Sequence, residues 1–339
     1  MAADMAVAEH DIAAEKANES GKKSEALQHL MAANRASPDA KREILMRDIR
    51  ISKAFEDAEP SPIKAARSTP TLDYEQEMPT CSLDDVTADV VRAAFADKGC
   101  LYLPSAIDKG TVATLRTAIE ASHHASMDDS PDPQLHSLGK YPTRGQAINV
   151  AAAREFAKQA GACLAVDSPH ALYLVCDLFD RLGISALAEE FLGETPFMSA
   201  SKFVLWKAAP GESTEWHQDG RFLGDAVDIQ SVNVWTALSD CGETAPGMEL
   251  VLKRLDDYIL NSCESVFDWT VADSQVDERF RGQVPVVTPK FNAGDMLIFD
   301  HWLLHRTHRD PSMTDYRYAI ESWFFADSAF PKGRTPLIL

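Results

Sequence analysis

The residues whose types and spacing could do chemistry are His217 and Asp219, in the run Thr214-Glu215-Trp216-His217-Gln218-Asp219-Gly220-Arg221. In an extended segment, residues two apart point to the same side, so this imidazole and carboxylate can reach one cation. A third ligand must come from elsewhere. Gly294-Asp295-Met296-Leu297-Ile298-Phe299-Asp300-His301-Trp302-Leu303-Leu304-His305 holds the candidate. Two imidazoles and one carboxylate on one face of an octahedral metal leave the opposite positions open, the arrangement that suits non-haem Fe(II) oxygenases.

A His-x-Asp triplet arises easily by chance, and His308-Arg309-Asp310 is a second one. No histidine follows it, so it reads as accidental. His217 and Asp219 do have a downstream partner, and Arg317 then opens another strand-like run. The order His217, Asp219, His305, Arg317 carries the functional reading.

The totals narrow the class. With 52 acidic against 33 basic residues and a net charge of −19, the chain would repel phosphates at long range, which argues against nucleic-acid or anionic-membrane partners. An apolar fraction of 45% over 339 residues supports a large buried core. The stretch from Met1 to Asp11 lacks the basic region and apolar core of a secretory signal. The longest apolar run, Ala171 to Cys176, is too short to cross a bilayer. A cytoplasmic protein is expected. Cys81, Cys100, Cys163, Cys176, Cys241 and Cys263 show no Cys-x-x-Cys spacing, so reduced thiols are expected and a zinc-cysteine site is not.

Positioning the chemistry requires a scaffold. Residues 1–57 read as three helices, and Gly21, Glu25, Ala26, Leu30, Ala33 and Pro38 fall at the turn, packing and closing positions of half a tetratricopeptide-like repeat. Half a repeat cannot bury its own apolar face, so this extension either docks on the main domain or pairs with another chain, including a second copy. Residues 58–80, with Pro60, Pro62, Pro70 and Pro79, read as a linker or strap, and 81–339 as the catalytic domain. Ser82 is expected to cap a helix closed by Gly99, and a second helix carries Val112, Leu115 and Ile119 toward a solvated end at His123-His124. Residues 126–150 read as a long loop in which His136, Lys140 and Arg144 could meet an anion. Ser168-Pro169 opens a further helix ended by Gly183, and another runs through Phe191. After Gly193 the pattern turns to strands, at 197–207, 229–238, 248–252, 284–288, 296–302 and 317–325. Helices first and antiparallel strands afterwards indicate an α+β protein with a jelly-roll core, in which inward side chains from distant strands converge.

The order His217-Gln218-Asp219, Trp235-Thr236-Ala237-Leu238, Ala245-Pro246-Gly247, Gly294-Asp295 leading to His305, then Arg317, resembles the phytanoyl-CoA dioxygenase family of double-stranded β-helix, Fe(II)- and 2-oxoglutarate-dependent oxygenases. The likeness runs from about Leu83 to Phe325. It implies that His217, Asp219 and His305 hold Fe(II), that Arg317 pairs with the distal carboxylate of 2-oxoglutarate, that Thr307 adds a hydroxyl to that carboxylate, and that Trp235 lies near the cosubstrate. His301 competes for the third ligand place because it would share strand parity with His305; the spacing from Gly294-Asp295 and to Arg317 favours His305. Glu321 shares parity with Arg317 and could brace it, although a solvent-facing role is simpler. Trp206, Trp216, Arg221, Trp302 and Arg306 flank the motifs and could line or gate a pocket.

The implied activity consumes O2 and 2-oxoglutarate, releases succinate and CO2, and hydroxylates an unactivated C–H bond of a small molecule. Desaturation and ring closure begin with the same hydrogen abstraction. Relatives that halogenate carry a small residue where Asp219 stands, so the carboxylate points to hydroxylation. One rival reading makes the barrel an idle scaffold whose N-terminal helices recruit a partner. Another places Zn(II) in the triad for hydrolysis, which leaves Arg317 and Thr307 without a purpose.

Overall fold

In the computed structural model, which describes residues 2–56, 77–145, 150–211, 214–223 and 230–339, the chain opens with α1 (Ala2–Glu19), α2 (Lys23–Ala36) and α3 (Ala40–Lys53). Apolar residues at helical spacing, among them Leu27, Leu30, Met31, Met46 and Ile49, close one small core. Asp39 starts α3 by accepting the Arg42 amide on its side chain, satisfying a helix-end donor. The expected linker falls almost wholly outside the described residues.

The chain continues with α4 (Ala88–Lys98), β1 (Cys100–Leu103), α5 (Lys109–Ala125), α6 (Val150–Gln159), β2 (Ala162–Leu164), α7 (Pro169–Arg181) and α8 (Ile184–Leu192). The strand-rich half holds β3 (Pro196–Ala208), β4 (Trp216–His217), β5 (Ser231–Ala237), β6 (Gly247–Val251), β7 (Thr270–Val271), α9 (Asp273–Arg279), β8 (Val286–Val287), β9 (Met296–Phe299), β10 (His305–His308), β11 (Arg317–Ala326) and β12 (Pro336–Leu337). One sheet runs β1-β9-β5-β11-β3-β12 with β2 also on β3; the other runs β7-β4-β10-β6-β8. This is the expected α+β jelly roll, a double-stranded β-helix with helices against the larger sheet. No helix among the described residues is long and apolar enough to cross a membrane.

Strand parity sorts the side chains of the larger sheet. Trp235, Leu297, Phe299, Ala319 and Trp323 pack with Met248 and Leu250 of the facing sheet. Their neighbours Val234, Ile298, Ile320 and Phe324 pack with the helices. A sheet buried on both faces accounts for strands that run apolar rather than alternate. Because Arg317 and Glu321 share parity with Ala319 and Trp323, β11 aims both into the barrel.

Several local expectations change. Ser82 caps only a single 3₁₀ turn, Leu83–Asp85; extended backbone at Val86 breaks it, and the Thr87 hydroxyl accepts the Val90 amide to start α4. Gly99 ends α4 in the left-handed region at φ 82°, as expected. His123 is not part of a solvated end: its Nε2 lies 3.2 Å from the Leu205 carbonyl, while His124 is exposed. The strand expected to reach residue 302 stops at Phe299, because the buried Asp300 carboxylate pairs with Arg254 and accepts the Trp302 amide, which folds the chain into a turn before β10. His301 and His305 therefore do not share a strand. Arg144 is structural: it pairs with Asp327, donates to the Ala54 carbonyl and lies over Phe197 and Phe330. Lys140 is exposed.

The N-terminal helices are tied to the rest of the chain through Glu43, a buried residue of α3 that accepts from Asn34 at 3.0 Å and Gln134 at 2.6 Å and lies 3.0 Å from His170 on α7. Burial pushes this carboxyl up, but the bonds from His170, Gln134 and Asn34 outweigh it and hold it below the ordinary range. A depressed carboxylate contributes stability that is present above its unfolded pKa of about 4.3 and is lost as pH falls through the lower folded value. Glu43→Gln is therefore predicted to cost about 1–3 kcal/mol at neutral pH. In urea unfolding the gap to the native protein should close as pH falls below the ordinary carboxylate range and through the lower folded value; a gap that stays constant would show that the charge does not hold α3.

Candidate metal centre

β10 pairs antiparallel with β4 such that His305 stands directly opposite His217. Opposed residues on one face bring their β-carbons to about 4.5–5.5 Å, and the two rings here have centroids 4.4 Å apart. β4 is only two residues long, so Asp219 is not in the extended segment that the triplet suggests. It begins a 3₁₀ turn, Asp219–Leu223, and reaches the same point by that route.

Gln218 makes the turn possible. Fully buried, its amide donates to the Asp257 and Trp302 carbonyls and accepts the Ile259 amide at 2.8 Å. The Gly220 amide donates to His301 O at 3.1 Å, and a β-carbon at Gly220 would strike the Tyr258 hydroxyl. His217, Asp219 and His305 end with one ligand atom each, all within 4.8 Å of one another, and all three are buried.

The protonation pattern follows from the backbone. His217 Nδ1 lies 2.6 Å from the Glu215 carbonyl and His305 Nδ1 3.0 Å from the Leu303 carbonyl. A carbonyl only accepts, so both Nδ1 atoms carry the proton and both Nε2 atoms present lone pairs. Burial lowers both imidazoles, His217 to about 3, and keeps them neutral. Burial pushes Asp219 up, but the Lys202 ammonium 3.3 Å away, the largest opposing influence, holds the carboxyl below its ordinary range and ionised. His305 Nε2 thus faces Asp219 Oδ2 at 3.5 Å, an acceptor against an anion. A cation resolves that conflict, so this donor set fits a metal.

Two chambers meet at these residues, sharing Trp206, Thr214, His217, Asp219 and Glu321. The narrower, about 60 Å³, is also lined by Arg317, Thr307, Trp235, Asn233 and Met248. There Arg317 donates to the Gly247 carbonyl at 3.1 Å and to the Thr307 hydroxyl at 3.5 Å, and the Thr214 hydroxyl donates to Thr307 at 3.1 Å. Gly247 approaches Gly242 so closely that a β-carbon would lie 2.6 Å from Gly242 Cα, which accounts for the glycine of the Ala-Pro-Gly run. The wider chamber, about 240 Å³, is walled by Phe156, Leu164, Val204, Trp206 and Trp269.

Not every flagged residue comes to the centre. His301 lies apart, its Nδ1 2.8 Å from the Ser231 hydroxyl. Trp216 is fully buried in a separate core, under the Arg306 guanidinium. Trp302 packs on Tyr258, and Arg221 donates to the Asp268 carbonyl. His136 lines neither chamber. Glu321 neither faces solvent nor braces Arg317; it accepts from Trp206 and Trp323 indoles and lies 3.9 Å from Lys202. Lys202, 3.3 Å from Asp219 Oδ1, showed in the sequence only as a charge inside a strand, and Trp269, edge-on to His217, carried no signal.

A double-stranded β-helix with two histidines and an aspartate converging in its barrel defines the class of non-haem iron oxygenases that take three protein ligands. The chain belongs to the phytanoyl-CoA dioxygenase family, whose model matches residues 95–317; the family uses Fe(II) and 2-oxoglutarate, and O2 and a small-molecule substrate go with them. Among solved structures it is similar to EctD from S. alaskensis with 2-oxoglutarate and 5-hydroxyectoine (15% identity, 79% of this chain and 87% of that one, TM-score 0.48). It is also similar to the carbocyclase SnoK from nogalamycin biosynthesis (15%, 73% and 86%, 0.46) and the epimerase SnoN in complex with Fe3+, alpha ketoglutarate and nogalamycin RO (18%, 70% and 83%, 0.43). No curated protein matches the chain in sequence.

Removing the Gln218 amide strands the buried Ile259 N–H and frees the turn that carries Asp219. Gln218→Ala is predicted to lower stability by about 2–4 kcal/mol in urea unfolding and to weaken metal binding in parallel. Unchanged metal affinity would show that the turn holds without it.

Proposed function

We propose that this protein is an Fe(II)- and 2-oxoglutarate-dependent hydroxylase acting on an unactivated C–H bond of a small molecule. R–H, O2 and 2-oxoglutarate would give R–OH, succinate and CO2, with one oxygen atom entering the hydroxyl and the other the new carboxylate of succinate. The observation that carries the reading is the convergence of two proton-free Nε2 atoms and an ionised Asp219 at one point between two chambers.

In this reading His217, Asp219 and His305 hold the iron. Bound there, Fe(II) supplies the activation of O2 that oxidative decarboxylation of 2-oxoglutarate drives. Arg317 offers its planar fork to the distal carboxylate in the narrow chamber, a bidentate contact that a lysine makes less well. Thr307, held by Thr214, adds a hydroxyl beside it, and Trp235 walls the cosubstrate. Lys202 positions Asp219 by pairing with its second oxygen. Asp219 occupies the place that a halide would need, which favours hydroxylation over halogenation. An idle scaffold gives no reason to bury Arg317 and to set Lys202 against Asp219 beside the three proposed ligands. The N-terminal helices act as a docked cap, since Glu43 ties α3 to α7.

With anaerobically purified protein, succinate release should require both Fe(II) and O2. Asp219→Ala should cut iron affinity by more than the ~10–100-fold typical of outer contacts and abolish succinate formation. Arg317→Ala should raise the 2-oxoglutarate requirement roughly tenfold or more, because a charge-assisted pair is lost. An unaltered requirement would refute the anchor assignment.

A further inference from the structure

In the larger sheet the pairing of β11 with β3 is irregular at the wide chamber. β11 and β3 pair with Ser322 opposite Phe203 and Phe324 opposite Met198, so the four residues Ser199 to Lys202 oppose Trp323 alone. The bulge reverses the parity of β3: Val204 and Trp206 face the chamber on one side of it, and Phe197 joins the inter-sheet core on the other. At the reversal two consecutive residues, Ser201 and Lys202, both line the chamber. A regular strand would send one of them to the other face.

The bulge also sets what Ser201 meets. β12 pairs with β3 through Pro336 opposite Ser199, and the Ala200 amide donates to the Thr335 carbonyl. That register brings Arg334 to Ser201, where the guanidinium donates to the hydroxyl at 2.7 Å. Arg334 thus enters the wall of the same chamber that His217 and Asp219 border. Burial alone lowers this guanidinium, to about 10, which leaves it charged at neutral pH but poorly solvated. Lys202, in the same wall, pairs with Asp219 and lies near Glu321.

The rest of the wall is apolar and aromatic: Phe156, Ala157, Leu164, Val204, Trp206 and Trp269. Its volume, about 240 Å³, is just below the ~300–1,000 Å³ that ligand pockets commonly span, which suits a compact ligand. The narrow chamber therefore joins His217, Asp219 and His305 to Arg317, and the wide one joins His217 and Asp219 to Arg334. We propose that Arg334 and Ser201 form the recognition point for the carboxylate of the substrate, and that the substrate is a compact apolar acid whose hydrocarbon body lies along Val204, Leu164 and Trp206 toward the metal ligands. This rests on the reading of the narrow chamber as the 2-oxoglutarate site. A planar guanidinium fork matches a carboxylate. A dianionic phosphate would add a second charge in a chamber that already holds Asp219 and Glu321.

The test uses full-length protein loaded anaerobically with Fe(II) and 2-oxoglutarate. Hexanoate and 3-phenylpropanoate are titrated against their neutral amides by calorimetry, with tryptophan fluorescence as a second readout. At least one acid should bind roughly tenfold or more tighter than its amide. Arg334→Gln should erase that preference while leaving the dissociation constant of 2-oxoglutarate and amide binding unchanged, and Arg334→Lys should restore part of it. Equal binding of acid and amide, or no binding of either acid, overturns the proposal on the native protein, whatever the variants do. A rise in the 2-oxoglutarate dissociation constant in Arg334→Gln, with acid binding intact, overturns it by making Arg334 a cosubstrate residue. If the native protein fails to bind 2-oxoglutarate with Fe(II), the reading of the narrow chamber has failed instead.

Discussion

Everything at the centre depends on one cross-strand pair. His217 and His305 stand opposite each other because β4 and β10 pair in that register, and each ring is turned by a hydrogen bond from Nδ1 to the carbonyl two residues before it. A one-residue slip would send one imidazole to the far face of the sheet and leave the lone pairs pointing apart. The register in turn depends on what ends the strands. Asp300 with Arg254 folds the chain before β10, and Gln218 folds it after β4, so two buried polar anchors fix the pair from both sides.

Buried charge is distributed around that pair in a consistent way. Asp219 and Glu321 face Lys202, and Arg317 and Arg334 each stand in a different chamber. Isolated charges are costly to bury, so such groups persist where they pair, bind an ion or meet a charged ligand. The apolar walls sharpen each of those interactions by excluding water. The same low dielectric that keeps His217 and His305 neutral strengthens the hold of Lys202 on Asp219.

The scaffold divides its labour between regular and irregular strand. Regular pairing of β11 with β5 and β3 sends Arg317 and Glu321 inward by parity alone. Gly294, at φ 103° and pressed against the Ile107 carbonyl, lets Asp295 turn to accept from Tyr102, Ser105 and Asn292, which locks β1 to β9. The Gly-Asp pair is thus an architectural clamp that lines neither chamber. The bulge in β3 does what regular strand cannot, placing neighbours on one face.

The sequence by itself determined the fold class and the ordered set His217, Asp219, His305 and Arg317, because ligand types, strand parity and turn residues are local properties written in short windows. It also marked the three opening helices, through apolar spacing and breaks at Gly21 and Pro38. Only the tertiary structure decided how the set meets. That Asp219 sits on a 3₁₀ turn, that His301 stands outside the centre, that Glu321 is enclosed by two indoles, and that Lys202 and Arg334 border the wide chamber all depend on register, a bulge and a C-terminal strand. Those are agreements between segments up to more than one hundred residues apart, and pairing energy between distant strands leaves no periodic trace in either one.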